Sequence, residues 1–474
     1  MSSRANKSRT RSGAQRGART SAQVERQAVA QLAATPLEFA DAASSDALRF
    51  CIATTFYPPY NFGGDGIYAH RLANGLARMG HLVTVIHSPN AYELLANSKP
   101  QAGYNDHPNV TVHALRTPLG KLGLLAVQQT GYPCFQARGL HRLLDGASYD
   151  VIHFNNVSLL GGPHVFRYGS ALKLCTLIEH WLVCPMHVLW KMDREVCTKP
   201  SCFRCQLQGR RPPQWWRYTG LMRRATRSID AFIGPSLFTM DMHRDRGIVG
   251  PMIQLPLFHP EPNAGNAPPA PVNEGRPFFL FVGRLEKIKG VQLLIPVFRA
   301  LPDVDLIIAG GGTYEPALRT LAAGAENIRF VGRTGHDQLQ ALYRGAIATL
   351  VPSLCYETFG VVAAESFSAR TPVIVYAQSS LEEIVKTHGG GLTFRPDDEL
   401  RTAIHRMRFE PGLRDRLARE GRMAYDTEFA EAPFLQNYMR VVRELLARRL
   451  DGTPVRGEPR AAKGDFAERP TYFE

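Results

Sequence analysis

The sequence predicts an α/β protein of two doubly wound, Rossmann-like domains facing each other across a cleft. Three observations carry this expectation. A chain of 474 residues with 44% hydrophobic content is enough for two large cores rather than one. From Arg49 onward, short apolar runs alternate with amphipathic helical stretches, the pattern of repeated βα units on a parallel sheet. Between His259 and Pro277 this periodicity stops in a Pro-, Asn- and Gly-rich stretch, and then it starts again.

Residues 1–46 read as a basic arm, with Arg4, Lys7, Arg9, Arg11, Arg16 and Arg19 among Ser, Ala, Gly and Gln and no acid before Glu25. Such a stretch buries too little apolar surface to fold and is expected to be disordered. It lacks the apolar core of a secretory signal, and the chain holds no run of about 20 apolar residues able to span a bilayer. A cytoplasmic location is expected; an organellar transit peptide or an early start codon also fits.

The N-terminal domain, 47–258, opens with a buried strand at 50–54. A loop from Tyr57 to Gly66 leads into a helix over 67–79 that Gly80 stops. Strands follow at 82–86, 110–115, 151–154, 173–178 and 231–233. The linker is 259–276. The C-terminal domain, 277–430, carries strands at 278–282, 304–309, 328–331, 348–351, 373–376 and 391–394, with helices between them. The charged end, 451–474, reads as a disordered tail. Ligands of such sheets bind beyond the carboxyl ends of the strands, which puts the site in the cleft.

The formal net charge of +14 suits nucleic acid, an anionic membrane or nucleotide phosphates alike. Part of it sits in the arm and no recognition motif is present, so no specific nucleic acid is expected.

Two segments carry chemistry. In Pro352-Ser353-Leu354-Cys355-Tyr356-Glu357-Thr358-Phe359-Gly360-Val361-Val362-Ala363-Ala364-Glu365 a strand ends and a helix opens. The amides of Phe359, Gly360 and Val361 then point from a positive helix end, where a phosphate fits. Glu357 precedes the helix, and Glu365 in its second turn leans back toward the same end. A cap and a solvated face residue would use the same two acids. In Phe281-Val282-Gly283-Arg284-Leu285-Glu286-Lys287-Ile288-Lys289-Gly290 another strand ends, and Arg284 and Lys289 place two cations where a diphosphate would depart. Lys287 suits a solvated loop better.

Read together, these segments resemble the retaining glycosyltransferases of family 4, which have the GT-B fold. The resemblance covers essentially all of 48–450. It rests on the Gly63-Gly64 loop after the first strand, on Gly-Arg-x5-Gly with Lys289 at the fifth position after Arg284, and on Glu357-x7-Glu365 with Phe359-Gly360 between. It implies a nucleotide-diphosphate sugar donor and a glycan, lipid-linked or small-molecule acceptor. Arg284 and Lys289 look like the holders of the pyrophosphate, Glu365 like the binder of the ribose hydroxyls, and Glu357 like the carboxylate against the transferred sugar. Gly63 and Gly64 look like the loop that lets backbone approach the donor phosphate. The same resemblance implies that the last helix, 431–450, returns to the N-terminal domain. It also implies front-face attack, with the leaving phosphate oxygen taking the acceptor's proton and no metal required for catalysis.

The family commonly carries a His before an acidic residue in the segment Thr176-Leu177-Ile178-Glu179-His180-Trp181. Here Ile178 stands in its place, Glu179 keeps the acid, and His180 replaces the imidazole only if its loop turns inward. A fold that binds nucleotide-sugar with impaired turnover is the alternative reading. A GT-B phosphorylase would need a pyridoxal-phosphate lysine context, and none is found.

Cys184, Cys197, Cys202 and Cys205 end in a Cys-x2-Cys pair, a spacing that suits a structural zinc, with His187 as a further ligand; four reduced thiols fit equally. Trp215, Trp216 and Tyr218 follow Arg210 and Arg211, a basic-aromatic patch suited to peripheral contact with an anionic membrane or to a glycan, or else core with a solvated flank. Three further patterns have plainer explanations. Gly64-x-Gly66-x-x-Ala69 is too far from its strand for a dinucleotide fingerprint. Asp303 and Asp305 suit a strand start. Ser380 to Glu383 fits a capping box for the helix that follows.

Overall fold

The computed structural model describes residues 47–61, 63–96, 100, 103–117, 119–261, 275–395 and 398–451. The expected arm and most of the expected linker and tail lie outside them.

The first sheet is parallel throughout and contains β1 (Arg49–Ala53), β2 (Leu82–His87), β3 (Val110–Ala114), β4 (Val151–Phe154), β5 (Leu172–Thr176), β8 (Ala231–Gly234) and β9 (Met252–Gln254). A short antiparallel hairpin, β6 (Trp190–Lys191) with β7 (Glu195–Val196), stands apart in the cysteine-bearing loop. The second sheet, also parallel, contains β10 (Phe278–Val282), β11 (Asp305–Ala309), β12 (Ile328–Gly332), β13 (Thr349–Val351), β14 (Val373–Tyr376) and β15 (Gly391–Phe394). Strands covered on both faces need apolar side chains on both, and β1, β4, β5, β11 and β13 are buried along almost their whole length.

Strand order decides where the site lies. The sheets run β3-β2-β1-β4-β5-β8-β9 and β12-β11-β10-β13-β14-β15, so the order reverses beside β1 and β4 in one and beside β10 and β13 in the other. Crevices open at such switch points, beyond the strands' carboxyl ends. Ala53 pairs with Phe154 at the first, and Leu280 pairs with Thr349 at the second. The loops bearing Gly63, Arg284 and Glu357 leave from these strands.

The helix Glu431–Leu450 packs on the helix Gly64–Arg78 of the first sheet's lobe. Phe434 stacks on Phe258, and Tyr438 shares a 2.8 Å hydrogen bond with His153, whose other ring nitrogen meets Thr176 Oγ1 at 2.8 Å. Burial pushes the His153 imidazole down to about 3, so it is neutral. A Cβ at Gly75 would meet Leu435 at 2.8 Å, so a bare backbone lets the two helices close up. One apolar cluster runs from Phe50 and Leu72 through Phe359 and Phe367 to Phe434, joining the two lobes.

The first helix begins at Gly64, three residues before the predicted start at Ile67. Its opening turn is glycine and acid rather than an apolar stripe, so periodicity could not reveal it. β6, β7 and β9 were not predicted, since two or three residues are too few to show alternation.

Candidate active site

Lys289 Nζ lies 2.5 Å from Glu357 Oε1, and Ser353 Oγ donates to the same oxygen at 2.6 Å. Burial pushes the Glu357 carboxyl up, but the Lys289 ammonium, its hydrogen bond, Ser353 and Arg284 together outweigh burial and hold it below the usual range. Lys289 answers in kind: burial lowers it, and Glu357 more than restores it. Arg284 is exposed beside the pair. A Cβ at Gly290 would lie 1.9 Å from Pro352 O, so this glycine lets the Lys289 loop sit directly on the strand end that leads to Glu357.

The helix Val361–Ser368 starts from Gly360, whose φ of 100° and whose closeness to Leu381 Cδ2, 2.4 Å from an added Cβ, admit only glycine. Glu365 projects from this helix and accepts from Tyr343 OH at 2.8 Å. Burial raises its carboxyl, against the pull of Tyr343, Arg71 and His336. His259 Nδ1 is 3.6 Å from Glu365 Oε1; burial, with Arg71 and His336, pushes this imidazole to about 3, so the contact is not an ion pair. Neither His259 nitrogen has a hydrogen-bond partner among the described residues.

In the first lobe, Gly63 is the extended N-cap of Gly64–Arg78 and Gly64 its first residue. Asp65 follows. Its carboxylate accepts from Asn156 Nδ2 at 3.0 Å and from the Gly66 amide at 2.8 Å. Burial first, then the charge of Glu179, push it up to about 6. Glu179 Oε2 in turn sits 2.9 Å from His187 Nδ1.

His180 takes another place. It is 1% exposed, meets Tyr356 O at 3.3 Å and stacks on His243. Burial and His243 keep it neutral. The imidazole brought beside Glu179 is His187, which the sequence suggested only as a metal ligand. Ile178 contributes its carbonyl, which accepts from Thr358 Oγ1 at 3.0 Å, while its side chain packs on the apolar core.

The segment after Glu357 is bolted to the first lobe. Ser236 Oγ and Thr239 Oγ1 both donate to Thr358 O, at 2.8 and 2.9 Å. The expected capping box at Ser380–Glu383 does not form: Ser380 Oγ donates to the carbonyls of Glu357 and Phe359, and Glu383 receives the Leu237 and Phe238 amides, each at 2.8 Å. A cap for a first-lobe helix, Leu237–Arg244, thus comes from the second lobe.

The four-thiolate zinc site is likewise not formed. Among the described residues no group of three or more His, Cys, Asp or Glu side chains could hold a metal ion. Cys205 Sγ accepts from the Met192 amide and Cys197 Sγ turns to Lys199 O, while burial pushes the Cys197 thiol up to about 11. None of the eight cysteines is in a disulfide.

Two family models match: Glycosyltransferase Family 4 over residues 62–253 and Glycosyl transferases group 1 over 266–423. An uncharacterized glycosyltransferase of Methanocaldococcus jannaschii is 32% identical over 78% of this chain and 91% of its own length. The chain belongs to the GT-B glycosyltransferases. Among solved structures, sucrose-phosphate synthase from Thermosynechococcus elongatus aligns with a TM-score of 0.63 at 22% identity, covering 84% of this chain and 99% of that one. Anabaena Alr3699/HepE in complex with UDP and glucose aligns at 0.58 and 14%, covering 84% and 100%. These likenesses support the two-lobe fold of this glycosyltransferase. Arg71, Tyr343, His259, Asp65 and His187 joined the site only through the fold. Asp65 directly follows the glycine pair, and Arg71 stands two helical turns after Gly64, so both were within reach of a helical-face reading from the correct start.

Proposed function

We propose that this chain transfers a sugar from a nucleotide-diphosphate donor to a hydroxyl of a glycan, lipid-linked or small-molecule acceptor, with retention of anomeric configuration. The observation that carries this reading is the charge cluster at the β10/β13 switch point, where Arg284 and Lys289 meet Glu357 just before the helix end at Gly360. The UDP found in Alr3699/HepE agrees with a donor of this class.

Arg284, Lys289 and the first amides of the Val361–Ser368 helix hold the diphosphate and neutralise the charge that develops as its bond to the sugar's C1 breaks. These cations supply what a metal would supply, and catalysis runs without one. Glu365, fixed by Tyr343, receives the ribose hydroxyls, and Glu357, fixed by Lys289 and Ser353, lies against the sugar. The acceptor oxygen bonds to C1 on the face the phosphate leaves, and its proton passes to the departing phosphate oxygen. Positioning then supplies most of the rate. Across the cleft, Glu179 and His187 with Asp65 take the acceptor side, so the imidazole absent at Ile178 is provided eight residues after Glu179. That none of the eight cysteines is in a disulfide accords with work in the reducing cytoplasm.

Incubating the protein with UDP-, GDP- and ADP-sugars and mixed acceptors, with NMR of the product anomer, tests the proposal. An inverted anomer would refute retention. Tight donor binding without any hydrolysis or transfer would favour the impaired binding protein that Ile178 and the buried His180 suggest.

A further inference from the structure

Half of the exposed large hydrophobic side chains among the described residues fall in two short stretches, 119–135 and 203–218. The two meet in space. Gln128 Nε2 on the helix Gly120–Thr130 and Gln206 Nε2 on the helix Cys202–Gln208 both donate to Pro212 O, at 2.8 and 3.3 Å, and Trp216 Nε1 donates to Gln128 O at 2.9 Å. Phe203 lies against Trp215. Leu124 and Val127 bury one face of the first helix, while Leu122, 67% exposed, and Leu125 point outward from the other. Phe135 at 54% and Trp215 at 56% are equally uncovered. An apolar surface of this extent on a water-soluble lobe marks an interaction face.

Charge says what covers it. Residues 107–144 and 196–229 contain no Asp or Glu, yet carry exposed Lys121, Arg138, Arg204, Arg210, Arg211 and Arg223. A second copy of this chain would bring the same acid-free surface against it and be repelled. Exposed aromatic and leucine side chains interleaved along the same two stretches with exposed Lys and Arg match an anionic bilayer: the rings and aliphatics enter the acyl boundary, and the cations meet lipid phosphates. We infer that this face docks the enzyme on an anionic membrane surface. Arg217, stacked on Trp216, reaches the carbonyls of Trp181 and Leu182 at 2.6 and 3.2 Å, so the docking face connects directly to the loop that bears Glu179. The inference stands apart from the transfer reading, since it needs no donor or acceptor.

Tryptophan emission of the full chain, mixed with vesicles of phosphatidylcholine alone or of equimolar phosphatidylcholine and phosphatidylglycerol, tests it. Trp181, Trp190 and Trp216 are buried and Trp215 is exposed, so the readout reports Trp215. The expected result is a blue shift and quenching by brominated acyl chains with the anionic vesicles only, both abolished in Trp215→Phe. Leu122→Glu with Leu125→Glu should weaken vesicle co-sedimentation about ten-fold or more while leaving the melting temperature unchanged. Three results would overturn the inference: anionic vesicles that bind without changing Trp emission, as the basic residues 1–46 alone would produce; a double variant that binds like wild type; or self-association that the double variant abolishes.

Discussion

Glu383, in the helix Ser379–His388 of the second lobe, accepts the Phe238 backbone amide of the first lobe at 2.8 Å, and its other carboxylate oxygen takes the Leu237 amide at the same distance. A carboxylate at a helix N-terminus is favoured by both hydrogen bonds and dipole. Here it also fastens the lobes at the point where Thr358 leads into the helix Val361–Ser368. Glu383→Ala should therefore lower the unfolding free energy by about 1–2 kcal/mol, and Glu383→Gln by less, in denaturant titrations.

Lys289 and Glu357 hold each other's charge in a half-buried setting. Removing one leaves the other uncompensated, so Lys289→Ala should cost about 2–4 kcal/mol, below the figure for a fully buried pair because each side chain keeps about a fifth of its surface exposed. A double-mutant cycle with Glu357→Ala should show coupling that shrinks in acid. The Glu357 carboxyl titrates below its unfolded value, so its stabilisation is present above that value and is lost as the pH falls through the folded one.

Asp65 has the opposite sign. Its carboxyl is raised to about 6, so the folded state holds a proton that the unfolded chain gives up. That contribution is complete below about pH 4 and is lost as the pH rises through about 6. Asp65→Asn should be more stable than wild type by about 1–2 kcal/mol at pH 8 and no more stable at pH 4, as thermal melts at the two pH values would register.

His187 and His180 should separate cleanly. His187→Gln removes the imidazole paired with Glu179 and is expected to reduce kcat about ten-fold or more with little change in melting temperature. His180→Ala opens a hole between His243 and Tyr356, so it should cost about 1–3 kcal/mol of stability. A normal kcat for His187→Gln, with lost activity confined to His180→Ala at matched folding, would reverse this assignment.

The parallel sheets and the switch-point loops were legible because buried strands such as Phe278–Val282 are continuous apolar runs, and because Gly283-Arg284 marks a strand end and Phe359-Gly360 a helix start by composition alone. Contacts between distant segments were not. Tyr343 reaches Glu365 across 22 residues, and Glu383 reaches Leu237 across 146. Ser380 and Glu383 have the local spacing of a capping box, yet Ser380 is drawn to the Glu357 and Phe359 carbonyls of its own lobe and Glu383 to helix amides that only the docking of two lobes supplies. The cysteines came out in between: Cys184, Cys197 and Cys205 do come within electrostatic reach of one another, as the spacing suggested, but among the described residues they form no group that could hold a metal, and Cys205 and Cys197 Sγ take backbone partners.

The central claim is that Arg284, Lys289, Glu357 and Glu365 hold one nucleotide-diphosphate sugar. Calorimetric titration of wild type, Arg284→Ala and Glu365→Ala with UDP-, GDP- and ADP-sugars tests it most directly. The prediction is that one base series binds wild type and that each substitution weakens it about ten- to a hundred-fold, the cost of a lost charged hydrogen bond. Equal affinity in all three proteins would contradict it.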